Sequence, residues 1–190
     1  DTANLNCFYS NLIPTYDDNF VTFVDFDEYF LFVKYSPSGD TLFTSVIKDI
    51  YLNDGNVSIY PTNVMEILSD SSYTGLVSIQ NELSLEVFMA LVNISKSGQM
   101  NFYETYNIDQ IGYTYTYPRG LVKLNDGYMI SSDIIKATGP YVDYAQHTRL
   151  IKIDNNGVEQ FRWTDWANES TVLPFGLTKT PDGGYLYGGI

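Results

Sequence analysis

The chain contains an internal repeat with a period of 59 residues. Three glycines recur at this interval, and each is followed four residues later by a phenylalanine, giving the pairs Gly39 and Phe43, Gly98 and Phe102, and Gly157 and Phe161. A proline upstream of a turn and an aromatic residue recurs at a similar spacing, as Pro61, Pro118 and Pro174. A fixed period of this size is typical of repeat architectures, in which each small unit buries its apolar surface against its neighbours.

The composition indicates that the repeated units are built from β-strands. The chain has 190 residues, of which 17 are Tyr and 11 are Phe, and it is 44% hydrophobic. Tyr, Phe, Val, Ile and Thr favour strands, and long windows rich in Ala, Leu, Glu and Lys, which favour helices, are absent. The sequence therefore predicts an all-β fold with ample material for a core.

The clearest unit is predicted to form four antiparallel strands joined by tight turns. Apolar stretches predict strands at 120–124, 128–131, 149–153 and from residue 158 onward, with turns at 125–127 and 154–157 and a variable loop at 133–147. Asp-Gly and Asn-Gly between apolar runs are strong hairpin signals, because glycine adopts the positive φ that such turns require. The same pattern divides the single segment 1–190 into units of about 1–50, 58–107 and 115–166 and a partial, two-stranded unit at 172–190.

Two segments carry a resemblance to a known family. Residues 174–189, which include Asp182-Gly183-Gly184-Tyr185, and residues 150–163, which include Asp154 to Gly157, resemble the hairpins of β-propeller blades in secreted and surface bacterial proteins. Many such chains look like Bacteroidetes-type proteins exported by type IX secretion. The resemblance implies a β-propeller of four-stranded antiparallel blades and a location outside the cell, either secreted or at the cell surface.

A propeller has about four to eight blades, whereas this sequence supplies three units and half of a fourth. We therefore expect an incomplete arc of about three and a half blades. The remaining blades are expected to come from the same longer protein or from another chain.

The charge of the chain and its lack of a long apolar run argue against a nucleic-acid partner and a membrane-spanning helix, respectively. The net charge is −13, and the 10 basic residues are scattered singly, whereas a nucleic-acid backbone requires clustered Lys and Arg. No run of about 18 apolar residues occurs, so we expect no membrane-spanning helix.

Tyrosines are the candidate ligand-binding residues. Alternation along a strand places Tyr113, Tyr115 and Tyr117 on one face, where exposed rings would form a platform for a sugar or a protein partner. If buried, the same rings would pack between neighbouring units, and this alternative remains open. Tyr141 and Tyr144 lie in the predicted loop before the third strand, and loops are frequent recognition elements.

No catalytic or metal-binding set emerges from the residue types. His147, the only histidine, is predicted to lie in a loop, far in sequence from the only cysteine, Cys7, and the acidic cluster Asp25, Asp27 and Glu28 is predicted to be a solvated turn. The segment 154–157 is interpreted as a hairpin turn, with a Ca²⁺ site as the alternative. We therefore expect no cofactor other than this Ca²⁺ alternative.

The predicted function is a non-enzymatic binding or adhesion module for a glycan or a protein ligand. One alternative is a propeller-fold enzyme, similar to glycoside hydrolases or quinoproteins, with its pocket in a central channel. Another is a structural cargo or subunit held in a larger secretion or surface assembly.

Overall fold

The computed structural model describes residues 7–9, 11–26, 29–47, 57–81, 84, 86–106, 115–136, 145–166 and 174–189. All regular structure among these residues is β-strand, in antiparallel and mixed sheets, which confirms the all-β prediction. No described segment forms the long apolar helix that would be needed to cross a membrane.

The described strands form four consecutive units. Unit one contains β1 (Cys7–Tyr9), β2 (Ile13–Pro14), β3 (Phe20–Phe26), β4 (Tyr29–Tyr35) and β5 (Thr41–Val46). Unit two contains β6 (Val57–Ile67), β7 (Tyr73–Asn81), β8 (Val87–Ile94) and β9 (Met100–Tyr106). Unit three contains β10 (Tyr115–Lys123), β11 (Gly127–Lys136), β12 (Ala145–Asp154) and β13 (Glu159–Thr164), and unit four contains β14 (Pro174–Lys179) and β15 (Tyr185–Gly189).

Within each unit, consecutive strands pair antiparallel. In unit one the first strand is split, because β1 and β2 both pair with β3, on different parts of its length. Units two and three join at one parallel residue pair, Tyr115 with Val87, which makes their common sheet mixed. The predicted antiparallel meander of unit three is therefore present.

The predicted loop at 133–147 is wrong at both ends. β11 continues to Lys136 and β12 begins at Ala145, so Asp133 and His147 lie within paired strands. The sequence suggests a loop because three polar residues, Ser131, Ser132 and Asp133, follow one another, whereas the structure buries all three side chains at 0% exposure.

The Gly-x-x-x-Phe repeat encodes a turn followed by a bulge. In unit three the Asp154 amide donates to the Val158 carbonyl and the Gly157 amide donates to the Asp154 carbonyl, which closes a three-residue hairpin loop with Gly157 at φ +86°. Gln160 is then an extra residue on β13, and Phe161 pairs with Lys152. Leu42 and Asn101 occupy the equivalent bulges in units one and two.

The repeated prolines mark a second bulge, on the first strand of a unit. The pairing register shifts directly after Pro61, Pro118 and Pro174. Proline lacks an amide hydrogen, so strands accept it at edges and bulges. The Gly-x-x-x-Phe pattern and the repeated prolines therefore each correspond to a local feature of the strands.

Unit two is covered by apolar contacts on both of its faces. The neighbours Leu76 and Val77 on β7 are both 0% exposed, and they belong to different core clusters. Val77 packs with unit one residues such as Phe23 and Phe32, whereas Leu76 packs with unit three residues such as Ile130. Successive residues of a strand point to opposite faces, so the units pack face to face in chain order.

In units two and three, the glycine of the turn between the third and fourth strands lies against the fourth strand of the preceding unit. A Cβ atom at Gly98 would lie 2.3 Å from Ser45 Oγ and 2.6 Å from the Phe43 ring. A Cβ atom at Gly157 would lie 2.6 Å from Glu104 Cγ, and the Tyr106 hydroxyl donates to the Gly157 carbonyl at 2.7 Å. Gly39, in the first unit, has nothing within 4 Å of its Cβ position.

Gly98→Ala is expected to cost more stability than Gly39→Ala. Both glycines have a left-handed backbone, with φ of +87° and +89°, so each change costs about 1–2 kcal/mol of backbone strain. Only Gly98→Ala also forces an atom into Phe43 and Ser45, which adds about 1–3 kcal/mol. Urea denaturation of the two variants measures the difference, and equal losses would contradict the inter-unit contact.

Candidate functional site

Tyr115 and Tyr117 form a pair of parallel rings on β10. Their ring centroids are 6.2 Å apart and their planes differ by 4°. Both side chains lie on one face, as the alternation predicts, and Tyr117 is 36% exposed whereas Tyr115 is partly buried. Tyr113, Tyr141 and Tyr144 fall outside the described residues. The structure therefore presents two of the five candidate tyrosines, side by side.

The strand pairing places an ion pair next to the exposed ring. Tyr117 pairs with Asp133 on β11, so the two side chains share a face. Asp133 is fully buried, and its Oδ2 accepts a hydrogen bond from Arg119 Nε at 2.5 Å. Arg119 is the extra residue in the bulge after Pro118, and its side chain is 37% exposed. Bulges redirect side chains, and here the bulged arginine neutralises a carboxylate that would be costly to bury alone.

Unit four contributes a tyrosine beside the same ion pair. Thr148 on β12 pairs with Asp133, and its hydroxyl lies 2.8 Å from the Tyr187 hydroxyl on β15. Burial raises the pKa of Tyr187, and the nearby Asp133 charge raises it further. We call the group formed by Tyr115, Tyr117, Arg119, Asp133, Thr148 and Tyr187 the tyrosine site.

The tyrosine site combines flat aromatic rings on β10 with polar groups on the same face of the neighbouring strands. Sugar rings present an apolar C–H face, which stacks on aromatic rings, and a rim of hydroxyls, which exchange hydrogen bonds with charged and hydroxyl side chains. The arginine supplies donors in a fixed planar fork, and the tyrosine and threonine hydroxyls can donate or accept. The arrangement therefore suits recognition of a neutral polyhydroxylated ring.

His147 is not part of the tyrosine site. It lies in β12, is 4% exposed, and its Nδ1 is 2.7 Å from the Asp165 carbonyl oxygen, while its ring packs against Trp166 at 5.0 Å between centroids. The prediction of a loop or surface histidine is wrong, because the residue is held within the packed sheet. It pairs with Ile134, on the face opposite to Asp133.

The carboxylate of the acidic turn at Asp154 accepts hydrogen bonds from backbone amides of the same turn. Asp154 Oδ1 accepts hydrogen bonds from the amides of Asn156 and Val158, at 2.8 and 2.9 Å, which supports the hairpin-turn interpretation. Asp25 belongs to β3 and not to a turn, and burial raises its pKa, while Asp27 and Glu28 fall outside the described residues. Within the part of the chain that the structure describes, no group of three or more His, Cys, Asp or Glu side chains assembles.

A cavity of about 630 Å³ on unit one was not anticipated from the sequence. Its lining comes from separate segments and includes Asn11, Leu12, Phe20, Thr22, Tyr35 and Gly39. The repeat offers the signal that could have located it. The pair of Phe20 and Tyr35 in unit one is equivalent to the pair of Tyr73 and Ile94 in unit two. Tyr73 and Ile94 are each 1% exposed, because they pack against the preceding unit.

A comparison of the chain with models of protein families finds no match, and a comparison with curated proteins finds none either.

Arg119→Leu is expected to destabilise the protein by about 2–4 kcal/mol. The change leaves the Asp133 carboxylate buried without its ion pair, which is strongly unfavourable. Arg162→Leu is the control on β13, where the arginine pairs with the partly exposed Glu159. This variant should lose less than about 1 kcal/mol of stability, as is usual for surface ion pairs. Chemical denaturation checks both values, and similar losses would show that the Arg119 pair carries no special weight.

Proposed function

We propose that this chain is an arc of a β-propeller that acts outside the cell, secreted or at the surface, as a non-enzymatic binding module. Its ligand is a glycan, held at the tyrosine site. The observation that carries the proposal is the pair of parallel rings of Tyr115 and Tyr117 beside the Arg119 and Asp133 ion pair. The groups of the tyrosine site can stack on a ligand and hydrogen-bond to it. The one carboxylate of the site, that of Asp133, is paired with Arg119.

The propeller assignment is supported by the order in which the units pack. Unit two packs against unit one through one face and against unit three through the other. Successive first strands also lie on the preceding unit: β6 contacts β3, β10 contacts β6 and β7, and β14 contacts β10 and β11. Four-stranded antiparallel meanders that pack in chain order are the building plan of a propeller.

The charge of the chain narrows the ligand class. With a net charge of −13, the protein repels polyanions at low ionic strength. Arg119 is already paired with Asp133, so the tyrosine site does not present an isolated positive charge. We therefore expect neutral oligosaccharides to bind in preference to sulfated or uronate-containing ones.

A protein partner is the second candidate for the same site. Tyrosine and arginine are enriched among the residues that contribute most to protein interfaces, and the exposed ring of Tyr117 and the half-exposed Arg119 combine these residue types.

Tyr117→Ala is expected to weaken glycan binding about three- to tenfold, the loss expected for one aromatic stacking contact. The measurement is titration calorimetry with a panel of neutral and acidic oligosaccharides. Tyr60→Ala is the matched control, because Tyr60 is 39% exposed and lies on the first strand of unit two. Binding that is absent from the panel, or that responds equally to both substitutions, would refute the proposed glycan site.

A further inference from the structure

The fourth strand of unit three exposes large apolar side chains that the repeat covers elsewhere. Phe161 is 53% exposed and Trp163 is 46% exposed, and both lie on β13. They point to the same face as Asp133, because Phe161 pairs with Lys152 and Trp163 with Leu150, which pair in turn with Met129 and Ser131. This is the face on which unit four packs.

The repeat shows what covers these positions in the other units. Phe43 and Phe102 occupy the position of Phe161, and both are partly buried in the cores between units. The position of Trp163 is occupied by Ser45 and Glu104, which face the left-handed turns at Gly98 and Gly157 of the following unit. In both cases the cover is the turn between the third and fourth strands of the next unit.

Unit four leaves this cover missing in the described chain. Its strand β14 contacts β10 and β11, which is the position taken by the first strand of every following unit. Among the described residues, β15 pairs only with β14, so its second edge carries no strand. The first half of a fourth sheet is thus in place beside an uncovered Phe161 and Trp163.

A complete unit from a second copy does not fit this surface. The first two strands of such a unit would need the position that β14 and β15 already occupy, where Leu177 packs against Gly120 so closely that a Cβ atom there would lie 2.7 Å away. A two-stranded element could dock beside β15 without displacing them.

We propose that β15 and the exposed face of β13 together form a docking surface for one β-hairpin of the same repeat. The hairpin adds two antiparallel strands to the edge of β15, and its turn, with glycine in the left-handed conformation, covers Phe161 and Trp163. Its chemistry is that of β12 and β13: an apolar strand, a turn of the Asp-x-x-Gly type, and a strand with an aromatic residue four positions after the glycine. The proposal rests on the stacking geometry of the proposed propeller and is independent of glycan binding.

The test extends the 190-residue chain at its C-terminus with a second copy of residues 137–166, in which both tryptophans are replaced by phenylalanine. The host chain carries Trp166→Phe, so that Trp163 is the only tryptophan in the protein. We expect the extension to shift Trp163 emission to shorter wavelength, to reduce its quenching by acrylamide, and to increase the urea m-value, because more surface is buried in the folded state.

Two variants of the extended protein separate docking from a general effect of added chain. Phe161→Ser should abolish most of the m-value increase and the protection of Trp163. Leu42→Ser should leave both unchanged, since Leu42 is 51% exposed on the fourth strand of unit one and is not part of the docking surface.

Unchanged quenching in the extended protein would overturn the proposal. The proposal would also be overturned if Trp163 in the unextended chain became more protected from quenching as the protein concentration rose, with association seen in analytical ultracentrifugation. The occupant would then be a second copy. Glycan titration of the same proteins reads the tyrosine site separately, so failure of one proposal does not decide the other.

Discussion

Unit two carries apolar side chains on both faces of its sheet, and covering those faces is what holds the neighbouring units in place. Leu76 and Val77 are adjacent in sequence and both fully buried, which is possible only because one face packs on unit one and the other on unit three. A single sheet of this kind has no solvent-compatible face, so it is stable only between neighbours. The left-handed turns at Gly98 and Gly157 require glycine, because a Cβ atom at either position would come within 2.6 Å of a side chain on the fourth strand of the preceding unit.

The same stacking creates the tyrosine site. The first strand of unit three bulges after Pro118, which brings Arg119 to Asp133 beside the ring of Tyr117, and unit four encloses the group through Tyr187. The polar groups are held by the packing of two units, and a ligand would meet side chains that are already oriented. At the ends of the described stack the same geometry leaves surface uncovered, as the cavity beside Phe20 and the exposed rings of Phe161 and Trp163.

The local features of the fold could be predicted from the sequence, whereas the contacts between distant segments could not. The turn at Asp154 to Gly157 is encoded within a few residues, and its hydrogen bonds are those that the pattern indicates. The burial of His147 and Asp133 was missed because polar residues in a row resemble a loop, and only cross-strand partners such as Arg119 make their burial tolerable. The cavity of unit one was missed because its lining combines a loop, two strands and a turn.

Native-state hydrogen exchange resolved by residue tests whether the units are stabilised by stacking on both sides. Amides exchange slowly where opening the structure requires loss of the most buried contacts. We expect the slowest exchange in β7 and β8, which lie between two cores, intermediate rates in β4, and fast exchange in β15. Slowest exchange in the outer strands of units one or four, or equal protection in β4, β8 and β15, would contradict stabilisation by stacking on both sides.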